Sequence, residues 1–365
     1  MSEKKENKAL QRPPAEVVYA GELKLLRESD EDPRPLGWGL SPRAVRRFVL
    51  GDDEAGITRK FVGNPSLVDR AMVALATNRG LLLVGEPGTA KSLLSELLCA
   101  AICGDSTLTI QGGAATTEDQ IKYGWNYALL LAEGPSTRSL VPAPLYKGMR
   151  EGRIVRFEEI TRCPPEVQDS LLSMLSDRVM AVPELGDEAM LFARDGFNLL
   201  ATANTRDRGV NEMSAALKRR LNFETVFPIP DFDVELRLVR EETRRRLERA
   251  GVPSPPPEDL LRMLVTSFRE LRSGETQEGQ VLDRLSTIMS TAECVSVGFA
   301  LGIKGHFLSG GEPTAGDLLD CIAGAAVKDD PEDLKRLRRY LEQRVARRGG
   351  LLWKELYEAR SRLPG

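Results

Sequence analysis

A single histidine, His306, stands in 365 residues. That excludes any multi-histidine metal site and any HExxH centre, and His306 reads as a helix-surface or packing residue before it reads as a general base. Five cysteines (Cys99, Cys103, Cys163, Cys294, Cys321) are scattered with no CxxC pair. An odd, dispersed set fits reduced thiols in a cytoplasmic protein and not a disulfide framework. Nowhere do about 18 apolar residues run together, so no membrane span is expected. The polar opening MSEKKENKALQRPP lacks the apolar core of a signal peptide. Charge of one sign is also missing, with a net charge of −3. Basic runs such as Arg244-Arg245-Arg246 are interleaved with Glu and Asp, which reads as solvated helix faces and gives no reason to expect nucleic acid. There is no internal repeat and no NKxD-type guanine motif.

What is present is an ordinary globular composition, 41% hydrophobic and 29% charged, in a chain long enough for two domains. Residues 1–35, rich in charge and proline, read as a flexible leader. From 36 to 230, apolar runs at 81–84, 108–111, 153–157, 197–204 and 223–229 alternate with helical patterns near 91–103, 164–177 and 212–221. Continuous apolar strands separated by helices indicate an α/β domain with a parallel five-stranded sheet covered on both faces. Two segments break the rhythm. Residues 125–141 read as two strands around EGPS, and 178–195 as a hairpin turning at ELGD. From 231 to 365 helices dominate, at 233–250, 257–273, 281–302, 315–328 and 331–348, and read as a separate helical domain.

The densest signal is LLLVGEPGTAKS. The apolar run Leu81–Val84 breaks into Gly85, Glu86, Pro87, Gly88, Thr89 and Ala90, then opens a helix at Lys91, Ser92 and Leu93. Backbone N–H groups of such a loop, with the positive end of the helix dipole, suit the phosphates of a nucleoside triphosphate. Lys91 would reach the β- and γ-phosphates, and the Ser92 hydroxyl would ligate Mg²⁺. Ala90 stands where GxxxxGK[ST] has its last glycine.

Hydrolysis needs a metal-holding carboxylate and a group that activates water. The strand RIVRF ends in Glu158-Glu159, at the carboxyl edge where open α/β sheets bind ligands. Glu158 would hold Mg²⁺, through water, and Glu159 would polarise the attacking water. FNLLATAN ends in Asn204, an amide suited to positioning water or touching a γ-phosphate, or to starting a turn. Lys218, Arg219 and Arg220 close the next helix, where an arginine either stabilises charge on a transferring phosphoryl group or caps the helix dipole.

These residues together resemble the MoxR branch of the AAA+ ATPases, in its helix-2-insert clade, closely over about 60–230 and loosely beyond. FVGN at 61–64, with Val62 and Gly63, resembles the adenine-flanking segment. GEPGTAKS resembles the family's phosphate loop with its alanine. FEEITRCPPEVQDSLLSMLSDR is similar to its Walker B block, and GFNLLATAN to its sensor-1 strand. The breaks at 125–141 and 178–195 fall where the helix-2 insert and pre-sensor hairpin lie. Two departures stand out. The usual Walker B Asp is Glu158, one methylene longer, which would slow turnover. The usual Asp-Arg-Phe finger is Arg219-Arg220-Leu221, with Arg220 aligned and Arg219 competing. Arg284 is the candidate for sensor 2.

The resemblance implies a magnesium-dependent, chaperone-like hydrolase that assembles as a homo-oligomeric ring, a hexamer. ATP would lie between subunits, with Lys91, Ser92, Glu158, Glu159 and Asn204 from one and Arg220 from the next. It further implies a partner with a von Willebrand factor A-type domain, and maturation or activation of a protein complex, metal insertion among the forms this takes. The alternative is an ATP-binding scaffold or switch with little hydrolysis.

Overall fold

Leu81, Leu82 and Leu83 are all buried, as a strand covered on both faces requires, but they point to two different cores. In the computed structural model, which describes residues 11–186, 189–205, 210–328 and 330–364, Leu81 and Leu83 pack with Leu94 and Leu97 of the helix Lys91–Cys103. Leu82 joins Phe157, Leu199 and Ala201 on the opposite face. Contacts divide the chain into two units. Of the described residues, one unit holds those up to Glu86 and those from Ala90 to Phe227, and the other holds Pro87–Thr89 and those from Pro228 on.

The first unit carries nine strands among its described residues: β1 (Gly80–Gly85), β2 (Thr109–Gln111), β3 (Tyr123–Trp125), β4 (Leu140–Pro142), β5 (Ile154–Glu158), β6 (Val179–Ala181), β7 (Met190–Phe192), β8 (Asn198–Asn204) and β9 (Leu221–Thr225). Five of them form the expected parallel sheet, in the order β2-β5-β8-β1-β9. Register sets the site. Gly85 pairs with Asn204 across β1 and β8, and Gln111 pairs with Glu158 across β2 and β5. On β5, Ile154 belongs to the core under the helix Lys91–Cys103, so the period of two turns Arg156 and Glu158 to that same face.

Where a flexible leader is expected, residues 15–29 are helical and packed. Ala15–Val18 and Ala20–Ser29 are helices with Leu23 and Leu26 buried, and the Ala15 amide donates to Glu96 at 3.0 Å. Charge and proline there conceal an apolar stripe three residues apart that is long enough to dock. The segment 125–141 is not a simple hairpin either. β3 and β4 pair antiparallel, but YALLLAE between them forms a helix, Tyr127–Glu133, capped by the Asn126 side chain accepting from Leu129 N–H at 3.3 Å. Ala, Leu and Glu are strong helix formers, and the run does not alternate as a strand would. At 178–195 the expected hairpin exists as antiparallel β6 and β7, although Asp187 of its ELGD turn lies outside the described residues.

The second unit is helical: Phe232–Arg249, Glu258–Ser273, Thr291–Phe307, Ala315–Ala326, Pro331–Gln343 and Leu351–Glu358. Its core is built from Val239, Leu264, Phe268, Leu301, Leu318 and Leu341. Glu235, 1% exposed, accepts from Arg269 at 2.8 Å, Arg272 at 3.0 Å and Thr291 at 2.6 Å, and so ties the first three helices together. The helix expected over 281–302 starts only at Thr291. There Ser290 and Glu293 form a reciprocal capping box, which outweighs the apolar residues before it. No helix among the described residues is long and apolar enough to cross a membrane.

Candidate active site

Lys91 opens its helix buried at 6% exposure, and its ammonium turns back over the loop to the carbonyls of Gly85 at 3.1 Å and Glu86 at 2.8 Å. A lysine folded over a glycine-bearing loop in this way lies where phosphate oxygens would compete for it. Two loop residues have left-handed backbone, Gly88 at φ 75° and Ala90 at φ 68°. Glycine adopts that region freely, whereas alanine is strained there by about 1–2 kcal/mol. Ala90 therefore takes the backbone shape of the glycine it replaces, at a cost in strain.

The carboxylate of Glu158 lies at the centre of the site, 6% exposed. Its Oε2 accepts from the Ser92 hydroxyl at 2.7 Å and the Thr202 hydroxyl at 2.8 Å. Its Oε1 accepts from the Ser95 hydroxyl at 2.7 Å and the Arg156 guanidinium at 2.8 Å. Burial pushes the carboxyl upward, but the hydroxyls of Ser92, Ser95 and Thr202 and the charge of Arg156 overcome it, so the group is held below its ordinary value. The structure thus brings Ser92 and Glu158 together as expected. It also adds Ser95, Arg156 and Thr202, which motif reading does not single out. The signals were present: Ser95 follows Ser92 by one helical turn, and Arg156 precedes Glu158 by one strand period.

Glu159, the next residue, has left-handed backbone at φ 55° and ψ 44°. Its amide donates to the Thr202 hydroxyl at 3.0 Å, and its carboxylate pairs with Arg162 at 2.8 Å. Thr202 therefore accepts from one glutamate and donates to the other. Asn204 ends β8 half-buried, next to Gly85 in register. Phe61 is buried in the core, Val62 and Gly63 are half-buried, and Asn64 caps the helix Pro65–Leu75 through its side chain to Ser66 N–H at 2.9 Å. Leu93 is exposed.

The finger candidates differ. Arg219 is exposed, whereas Arg220 is half-buried, donating to the Ala216 carbonyl at 2.8 Å and contacting the Ser176 hydroxyl. In the helical unit, Arg284 donates to the Ser273 carbonyl at 2.7 Å. Among the described residues, no group of three or more His, Cys, Asp and Glu could hold a metal ion by itself.

This constellation agrees with what the chain is similar to. Residues 80–221 match the family AAA domain (dynein-related subfamily), and residues 233–364 match the YehL-like AAA+ ATPase C-terminal domain. The protein YehL of Escherichia coli is 61% identical over 362 residues, spanning 98% of this chain and 99% of its own. The chain belongs to the YehL-like AAA+ ATPases. The AAA+ ATPase expected from the motif set is borne out, and so is the α/β sheet followed by a helical region. Protein SH1500 of Staphylococcus haemolyticus is 24% identical over 224 residues, covering 61% of this chain and 79% of its own. A solved structure of NtrX from Brucella abortus in complex with ADP matches with a TM-score of 0.48 at 16% identity, over 83% of this chain and 61% of that one.

Proposed function

We propose that this chain is a MoxR-like ATPase that binds ATP with Mg²⁺ and hydrolyses it at the subunit interfaces of a homo-oligomeric ring, a hexamer. The observation that carries the reading is the convergence of Lys91, Ser92 and the ionised Glu158 at one edge of the sheet, with Glu159 beside them. The donor set suits the ligand. The loop offers backbone N–H groups and a buried ammonium to phosphates, and the Ser92 hydroxyl gives its proton to Glu158, which leaves its lone pairs for a hard cation. The ion, when bound there, would neutralise charge on the phosphates.

The chain's own residues supply the rest. Lys91 exchanges loop carbonyls for phosphate oxygens. Glu159 accepts the proton of the attacking water once its carboxylate leaves Arg162. Asn204 orients that water or the γ-phosphate, and Arg219 or Arg220 of a neighbouring copy adds the cation for developing charge. The work done with this energy is remodelling, maturation or activation of a partner complex in a chaperone-like role in the cytoplasm. Its partner is a protein with a von Willebrand factor A-type domain, and metal insertion is one form that such work takes.

The test is ATP turnover and mass measurement on wild type, Lys91→Ala and Glu159→Gln. Lys91→Ala should lose nucleotide binding. Glu159→Gln should bind ATP, lose hydrolysis and accumulate as a higher oligomer. A strictly monomeric Glu159→Gln with full turnover would overturn the ring mechanism. The ion pair that masks Glu159 favours a second reading, a nucleotide-gated scaffold, which predicts ATP binding with no turnover at any protein concentration.

A further inference from the structure

A carboxylate has about four lone-pair positions, and the two oxygens of Glu158 accept four hydrogen bonds, from Ser92, Thr202, Ser95 and Arg156. None is left for direct contact with a cation. While these four bonds stand, whatever Glu158 does to an ion, it does through Ser92. Its usefulness therefore depends on where Oε2 is held, by Thr202 directly and by the contacts that anchor Oε1.

Around Oε1 the structure is heavily built. The Arg156 guanidinium, in a side chain only 10% exposed, donates Nε to the Ser95 hydroxyl at 3.0 Å. It also donates to the Ser92 carbonyl and the Ser106 carbonyl, each at 3.1 Å. Ser95 is fully buried. One planar fork thus spans the first turn of the phosphate-loop helix and the tip of β5. An aspartate, shorter by about one C–C bond of 1.5 Å, could not satisfy Ser95 and Arg156 on one oxygen and Ser92 and Thr202 on the other. The extra methylene of Glu158 has a matching receptor.

We propose that Arg156 and Ser95 act as a positioning pair that draws in the longer Glu158 side chain, so that Oε2 meets Ser92 and fixes the hydroxyl that receives the magnesium ion. Glutamate at 158 is then the residue this site is built for and not a weakened aspartate. The inference rests on the nucleotide-binding reading above and concerns only how strongly magnesium is recruited.

The experiment titrates magnesium into full-length protein with a fluorescent ATP analogue, well below the melting temperature of each variant, with an EDTA baseline. The variants are Ser95→Ala, Arg156→Lys and Glu158→Asp. Lysine keeps the charge but lacks the fork. Each variant should raise the magnesium concentration at half-saturation about tenfold, as loss of an outer-shell partner does, and Ser95→Ala and Arg156→Lys should leave magnesium-free binding unchanged. Arg156→Lys combined with Glu158→Asp should be no worse than the poorer single variant, since both remove the same contact. A purely structural role would lower melting temperatures without moving the magnesium midpoint, and that result overturns the proposal. Glu158→Asp binding magnesium as well as wild type overturns it too. Ser95→Ala, the smallest change, decides the matter if Arg156→Lys fails to fold. Wild type that binds no nucleotide at all sinks the ATPase reading along with it, whereas magnesium-dependent wild type with unmoved variants sinks this inference alone.

Discussion

The Gly112 amide donates to the Glu158 carbonyl at 2.7 Å, so the end of β5 is anchored from β2 by a residue with no side chain. A Cβ added at Gly112 would stand 2.4 Å from the Glu159 carbonyl oxygen. Gly112→Ala is expected to cost about 1–3 kcal/mol of stability by overpacking, and to lower turnover more than nucleotide binding. Thermal melts beside ATPase and binding assays check it. Unchanged melting with unchanged turnover would refute the close contact.

Ala90 offers a second test. Ala90→Gly relieves left-handed strain in the fold but adds freedom to the unfolded chain, two effects of about 1 kcal/mol that oppose each other. Stability should stay within about 1 kcal/mol of wild type, and nucleotide affinity should be kept, because the backbone shape is the same. A large loss of affinity would show that the alanine methyl itself matters.

Thr202→Val removes a hydroxyl that bonds both glutamates while keeping nearly the same shape. Leaving a half-buried amide and a buried carboxylate lone pair unmet costs up to about 1–3 kcal/mol. Turnover should fall with stability, and hydrogen exchange at the Glu159 amide should accelerate. An unchanged exchange rate would exclude the bond.

Arg219→Ala and Arg220→Ala should behave differently. Arg220 is tied to its own helix, so its loss is expected to lower the melting temperature as well as turnover. Arg219 is exposed, so its loss should spare stability. If either acts across an interface, adding that variant to a Lys91→Ala subunit should restore some turnover in the mixture, since each supplies what the other lacks.

Asp333 sets a pH dependence in the helical unit. It is fully buried; burial raises its carboxyl, but Ser286, Thr287 and Arg336 outweigh this and hold it below its ordinary value of 3.8. A depressed folded value means its contribution is complete above 3.8 and is lost as pH falls through the lower, folded value. Asp333→Ala should therefore melt below wild type by a constant margin at neutral and mildly acidic pH, narrowing only at strongly acidic pH. A margin that narrowed already near neutrality would contradict this.

Contiguity decided which parts of this site could be read in advance. The loop from Gly85 to Ser92, the pair Glu158-Glu159 and the strand end at Asn204 are short runs whose neighbours in sequence are their neighbours in space. Ser95, Arg156 and Thr202 come from a helix and two strands and meet only once the sheet order β5-β8-β1 is known. An arginine on an apolar strand gives no hint of its partner until Ser95 and Glu158 flank it. The helix Tyr127–Glu133 was hidden by its hairpin-like flanks, which do pair. The helices at 15–29 were hidden by composition, because proline and charge averaged over 35 residues mask Leu23 and Leu26. The helix Leu351–Glu358 follows Gly349-Gly350 and carries too few periodic positions to stand out.

The place of β8 between β1 and β5 has a mechanical meaning. The phosphate loop hangs from β1 and both glutamates hang from β5, so the spacing between them is the width of the strand in the middle. Thr202 is the rivet through that strand. Its hydroxyl is short and polar enough to bond both glutamates, while Ala201 and Ala203 turn to the opposite face of the sheet. The separation of the phosphate loop from the two glutamates is therefore gauged by the backbone of the sheet and not by the loop. A shear of β8 that left the loop untouched would still break the Thr202 bonds to both glutamates.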